Sequence, residues 1–328
     1  MTEKPLILLT HELPADWIGD SLDPYQVIIG DNQQRGIDAL LEPYLADAAG
    51  IICLLDDPIS ADIIHQAPKL KVISNMAVGT DNIDVKACTS RGIPVGHTPG
   101  VLTDGTADLT LALLLSVCRK LKTANLDAEA GKWSSWEPTG WLGRDLKGST
   151  VGIVGLGKIG SAVAERLRPF GCKLIFANRS LLPDQEKKFN ARQVGLDALL
   201  ADSDFICLHV PLTEETRGLI DKDAFQKMKP NSILINASRG TVIDTDALVE
   251  ALKNGQILAA GLDVTDPEPL PPDHPLFQLE NCLITPHIGS ATVNTRQVMA
   301  DIAISNMQAG IKGKPLPYCV NPEAYESA

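Results

Sequence analysis

Val151-Gly152-Ile153-Val154-Gly155-Leu156-Gly157-Lys158-Ile159-Gly160 is the stretch that decides the fold. Its first four residues read as a buried strand. Three glycines follow at the G-x-G-x-x-G spacing, and the run from Ser161 to Leu167 then has helical periodicity. Each glycine has a separate physical task. Gly155 permits a tight strand-to-helix turn, Gly157 lets the backbone approach a pyrophosphate, and Gly160 lets the helix pack close to the strand. Leu156, Lys158 and Ile159 fill the rest of this turn, where a helix N-terminus offers free N–H groups to phosphates. The motif stands in the middle of a 328-residue chain, not at its start.

Working outward, about 100 residues of βα alternation precede the turn. Candidate strands are Leu6–Thr10, Gln26–Ile29, Gly50–Leu54, Val72–Asn75 and Pro94–Val95; candidate helices include Arg35–Glu42, Ala61–Gln66 and Val85–Arg91. A long helix is predicted from Thr106 to about Ala130, with an apolar first half. A second βα series follows, with strands Val151–Val154, Leu174–Ala177, Phe205–Leu208, Ser232–Ile235, Ile257–Leu262 and Cys282–Ile284, and Thr292 to about Ile311 reads as a last helix. The expected fold is α/β, two Rossmann-like or flavodoxin-like parallel-sheet domains with a cleft between them. The chain would build most of one domain, then all of a second, then return. Residues 1–101 plus 291–328 would form a discontinuous substrate domain, and 102–290 the dinucleotide-binding one.

Composition narrows the class. Hydrophobic residues make up 44% and charged residues 21%, ordinary for a globular protein. The net charge of −12 argues against sequence-independent nucleic-acid binding, which needs a basic footprint. Seven scattered cysteines, with no C-x-x-C pair, suggest reduced thiols and no metal site. No run reaches membrane-spanning length and Met1-Thr2-Glu3-Lys4-Pro5 is no signal peptide, so a cytoplasmic protein is expected.

Asn178-Arg179-Ser180 ends the second strand of the nucleotide series, 18 residues after Gly160. An NAD site places a carboxylate near here for the ribose 2′-OH. This chain offers an amide, a guanidinium and a hydroxyl instead, which suit a 2′-phosphate. The segment is also acceptable as an ordinary polar turn, but NADP(H) is expected ahead of NAD(H). Three further segments leave apolar strands with one charged or titratable residue each: Ala237-Ser238-Arg239, Pro267-Glu268-Pro269 and Pro286-His287-Ile288-Gly289-Ser290. Alone, Arg239 reads equally as a surface cation, Glu268 as an exposed acid and His287 as a loop histidine. Together, at the strand ends of a nucleotide sheet, they make an anion clamp, an acid that orients a ring, and a proton donor. The turn at Ala77-Val78-Gly79-Thr80-Asp81 either binds an anion through backbone N–H groups or is a simple turn.

Gly155–Gly160, Ser238-Arg239-Gly240, Gly261-Leu262-Asp263-Val264, Pro267-Glu268-Pro269 and Pro286–Ser290 resemble the D-isomer-specific 2-hydroxyacid dehydrogenases. Within that family the chain is most similar to the glyoxylate/hydroxypyruvate reductases. The resemblance implies that His287 protonates a carbonyl oxygen as hydride arrives from the nicotinamide. It also implies that Glu268 bonds the imidazole and favours its protonated form, and that Arg239 binds and polarises a 2-oxo acid. Val78 and Gly79 would hold its carboxylate. Asp263 would contact the nicotinamide carboxamide, with Thr106, His209, Val210, Pro211, Thr216, Ala237, Ser238, Gly289 and Ser290 also lining the cofactor site. Trp136 would reach a partner subunit's pocket, making a homodimer through the nucleotide domain and the Trp133–Arg144 arm. The activity implied is NADPH-dependent reduction of glyoxylate and hydroxypyruvate. Reduction of another 2-oxo acid and non-catalytic NADP(H) sensing are the alternatives.

Overall fold

The computed structural model describes residues 4–326. They fall into two compact units, one made of the chain up to Leu102 and from Thr292 onward, the other of Thr103–Ala291.

The first unit holds five strands: β1 (Leu6–Leu9), β2 (Gln26–Ile29), β3 (Ala48–Cys53), β4 (Val72–Asn75) and β5 (Val95–Gly96). All pair in parallel, in the order β2-β1-β3-β4-β5. β1 and β3 are buried at every position, which is why they read as unbroken apolar runs rather than alternating ones; β4 is buried throughout as well but ends in the polar pair Ser74-Asn75. The late helix Val293–Ile311 packs on β3 and β4. Its Ala303 carbonyl accepts from Ser74 Oγ at 2.7 Å, and a Cβ on Gly310 would stand 2.4 Å from Val72 Cβ.

The helix expected over Arg35–Glu42 is absent; turns lead instead into a short 3₁₀ segment, Glu42–Asp47. Carboxylates there compete for the backbone. Asp38 accepts from the N–H groups of Asp31, Leu40 and Leu41, and Asp57 from that of Gly36, whose φ is +69°.

The second unit has seven parallel strands: β6 (Thr150–Val154), β7 (Lys173–Ala177), β8 (Ala191–Gln193), β9 (Phe205–Leu208), β10 (Ile233–Asn236), β11 (Ala259–Leu262) and β12 (Cys282–Ile284). Their order is β12-β11-β10-β9-β6-β7-β8, so succession reverses between β6 and β9, the place where open α/β sheets bind ligands at their C-terminal strand ends. Six strands were legible beforehand; β8 was not. Both faces of this sheet are covered, one around Leu199, Phe225 and Leu248, the other around Leu114, Val163 and Leu167.

The helix predicted from Thr106 is two helices, Thr103–Cys118 and Leu121–Glu129. Lys120 between them is left-handed at φ 54°, and the Cys118 carbonyl accepts the N–H of Arg144 at 2.8 Å in place of a helical donor.

Candidate active site

At the end of β6 the three glycines meet three different surroundings. Gly155 has φ +92°, and a Cβ there would stand 2.7 Å from the His209 carbonyl oxygen. A Cβ on Gly160 would lie 2.2 Å from the Gly155 carbonyl oxygen, so only glycine lets the helix Lys158–Leu167 come this near the strand. Among the described residues nothing lies within 4 Å of a Cβ position on Gly157, and no side chain caps the helix it opens. The first N–H groups of that helix are therefore available to a ligand.

The neighbouring segments frame this turn. Asn178 Oδ1 accepts from the Leu156 N–H at 3.3 Å, while Arg179 and Ser180 are exposed beyond it. His209 donates its N–H to the Val154 carbonyl, and both of its ring nitrogens are buried without a hydrogen-bond partner among the described residues. Burial alone pulls its imidazole down to about 4, so the ring is neutral near pH 7. Val210 lies within contact of a Gly155 Cβ position. Thr216 Oγ1 donates to the Pro211 carbonyl and accepts from the Thr213 N–H, closing the loop after β9.

At the ends of β10, β11 and β12 the three charged or titratable residues do come together. His287 Nδ1 and Glu268 Oε1 are 2.6 Å apart, and Glu268 Oε2 also accepts from the Thr265 N–H at 3.1 Å. Burial pushes the Glu268 carboxyl up, but the hydrogen bond and charge of His287, the Thr265 N–H and the nearby Arg239 outweigh it and hold the group below its ordinary value. Glu268 is thus ionised and can only accept, so Nδ1 carries the shared hydrogen and Nε2 is left for other work.

The loop bearing Arg239 is fixed by the wholly buried Asn236. Its Nδ2 donates to the Arg239 carbonyl, and its Oδ1 accepts from both the N–H and the hydroxyl of Ser238. Ala237 and Ser238 are half-buried. A Cβ on Gly240 would collide with the Thr265 carbonyl oxygen, so the Arg239 and Glu268 loops touch backbone to backbone.

Asp263 is buried beneath the histidine turn. Its Oδ1 accepts from Thr285 Oγ1 and the Ile288 N–H, and its Oδ2 from the Gly289 N–H, all within 2.8 Å. Burial raises its carboxyl despite these donors. With the His287 N–H on the Asp263 carbonyl, they hold His287 at a φ of 51°. Thr106 lies against Gly289, 3.2 Å from a Cβ position there, and Ser290 is buried in the same turn. Sequence reasoning missed Asn236, Thr265 and Thr285. For Asn236 the signal was a lone amide closing the apolar run Ile233-Leu234-Ile235.

Val78 and Gly79 belong to the first unit. Their carbonyls are held by His97 Nδ1 at 3.0 Å and Asn75 Nδ2 at 2.9 Å, while their N–H groups have no partner among the described residues. In the second unit Trp133 and Trp136 are 67% and 84% exposed. The arm that carries them is pinned at its far end, where Trp141 Nε1 donates to Asp127.

The family model for the D-isomer specific 2-hydroxyacid dehydrogenase, NAD binding domain, matches residues 111–289. A glyoxylate reductase from Thermococcus litoralis is 42% identical over 99% of both chains. A glyoxylate reductase/hydroxypyruvate reductase from Homo sapiens is 49% identical over 84% of this chain and 85% of its own. An NADPH-dependent glyoxylate/hydroxypyruvate reductase from Sinorhizobium meliloti, solved with NADP and malonate, has a TM-score of 0.86 at 30% identity over 98% of each chain. The chain belongs to the D-isomer-specific 2-hydroxyacid dehydrogenases.

Proposed function

We propose that the protein reduces glyoxylate to glycolate and hydroxypyruvate to D-glycerate, using NADPH in preference to NADH. The observation that carries this reading is the 2.6 Å pair of Glu268 and His287 on the strand ends of a sheet that also carries the glycine turn. The residues present fit a dinucleotide. Open space at Gly157, an uncapped helix N-terminus and the orphaned ring nitrogens of His209 are each a place a ligand would complete. Asn178, Arg179 and Ser180 favour a 2′-phosphate over a bare ribose hydroxyl.

When bound, the nicotinamide supplies a hydride to the carbonyl carbon of the substrate. His287 delivers a proton from Nε2 to the carbonyl oxygen, and Glu268 keeps the ring oriented through Nδ1. Arg239 polarises that carbonyl, and in the first unit the N–H groups of Val78 and Gly79 have the chemistry to bind a carboxylate. Asp263 acts from below by fixing the turn that presents His287. Two copies associate through the second unit, with Trp133 and Trp136 on the arm buried by the partner.

Initial rates with glyoxylate, hydroxypyruvate, pyruvate and 2-oxoisocaproate, each with NADPH and then NADH, test the reading. Highest kcat/KM is expected for the first two acids with NADPH; a preference for the bulky acid overturns the substrate assignment. His287→Ala is expected to lower kcat by about 10²–10⁴-fold with NADPH affinity nearly intact. Asn178→Asp combined with Arg179→Ala is expected to move the preference toward NADH.

A further inference from the structure

We propose that Gln193 is a positioning residue that sets the NADPH preference by holding the loop of residues 178–182 in a single conformation. The proposal rests on the reading of Asn178, Arg179 and Ser180 as the 2′-phosphate site. That loop is exposed as it leaves β7, with Leu181 85% accessible at its far side. A guanidinium on a mobile backbone would lose much of its hold on a phosphate to ordering entropy.

Gln193 supplies the missing constraint. It is the last residue of β8, and its side chain spends its donors and its acceptor on this one loop. Nε2 donates to the Ser180 carbonyl at 2.8 Å and to the Asn178 carbonyl at 3.3 Å, and Oε1 accepts the Leu182 N–H at 2.8 Å. These contacts bracket Arg179 on both sides. The backbone N–H of Gln193 is anchored in turn on Glu186 Oε1 at 2.7 Å, in the helix Pro183–Phe189 that follows the loop. Asn178 continues the chain of bonds to the glycine turn at Leu156. The pairing of β8 with β7 is made by backbone alone, so the side chain is not needed to keep the strand in the sheet.

Two variants test this. Gln193→Glu keeps an acceptor for Leu182 but loses both donors, and Gln193→Ala loses all three bonds. Calorimetric titration with NADP⁺ and NAD⁺ is the main readout, with amide hydrogen exchange at Leu182 beside it. The expected result is an NADP⁺ Kd raised about tenfold, an NAD⁺ Kd within about twofold, and kcat at saturating NADPH unchanged. Exchange at Leu182 should quicken in Gln193→Ala. Equal weakening of both cofactors, or an unchanged NADP⁺/NAD⁺ ratio in both variants, overturns the proposal. Arg179→Ala, titrated in parallel, separates the two layers. If it shifts the ratio and the Gln193 variants do not, only the positioning role falls; if it too leaves the ratio unchanged, the loop does not read a 2′-phosphate and both readings fall.

Discussion

Glu268 and His287 stand 19 positions apart in sequence and share one hydrogen bond. Its consequence for pH follows from the direction of the Glu268 shift. A carboxyl held below its ordinary 4.5 contributes stability that is present above that value and is lost as pH falls through its depressed folded value. Glu268→Gln should remove this part of the acid unfolding curve, measured by thermal melts from pH 5 downward, and lower kcat by about tenfold or more. His209 acts in a different window. Its imidazole falls from 6.5 to about 4 on burial, so the unfolded chain binds the extra proton and stability drains as pH drops between those values. His209→Leu should flatten the curve there, by about 3 kcal/mol at most; a curve as steep as the parent's would show that the ring is protonated when folded.

The glycine turn behaves as an element because its three glycines fail for different reasons. Gly157→Ala places a methyl in open space at a negative φ, so the melting temperature should hold or rise slightly while the NADPH Kd rises about tenfold or more. Gly160→Ala drives a methyl into the Gly155 carbonyl and should instead cost about 1–3 kcal/mol of stability in a denaturant titration. This turn was legible because strand, turn and helix each leave a strong local pattern. β8 left none: three residues, with Arg192 exposed in the middle, make no apolar run. Missing that strand also hid Gln193. The break at Lys120 was hidden for a related reason. What ends the helix is the Arg144 N–H, which no window around Cys118 contains. Arg239, Glu268 and His287 were visible as lone charged or titratable residues after apolar strands. Asn236 went unseen, and Asp263 was named only as a cofactor contact, because their hold on the loops is made largely on backbone groups brought in by folding.

Across the whole molecule, both parallel sheets were readable from short apolar runs alternating with amphipathic stretches. The first unit depends on the chain's return from Thr292 onward. Met299, Ala300, Ala303, Ile304 and Met307 share one apolar cluster with Ile7, Leu9, Ile52 and Val72. Truncation after Ala291 should leave this sheet face bare and the first unit unfolded. The second unit, continuous over Thr103–Ala291, should survive limited proteolysis as a fragment that still binds NADPH. Digestion of the whole truncated chain to small peptides would show that the second unit cannot stand alone.

The same helix sets an order of events at the ribosome. The segment up to Leu102 emerges early, yet it cannot cover β3 and β4 until Val293–Ile311 has been synthesised, nearly 200 residues later. The second unit is by then complete. The part of the protein made first is therefore the last to be finished. Until then one apolar face of its strands lacks the helix that covers it in the finished fold.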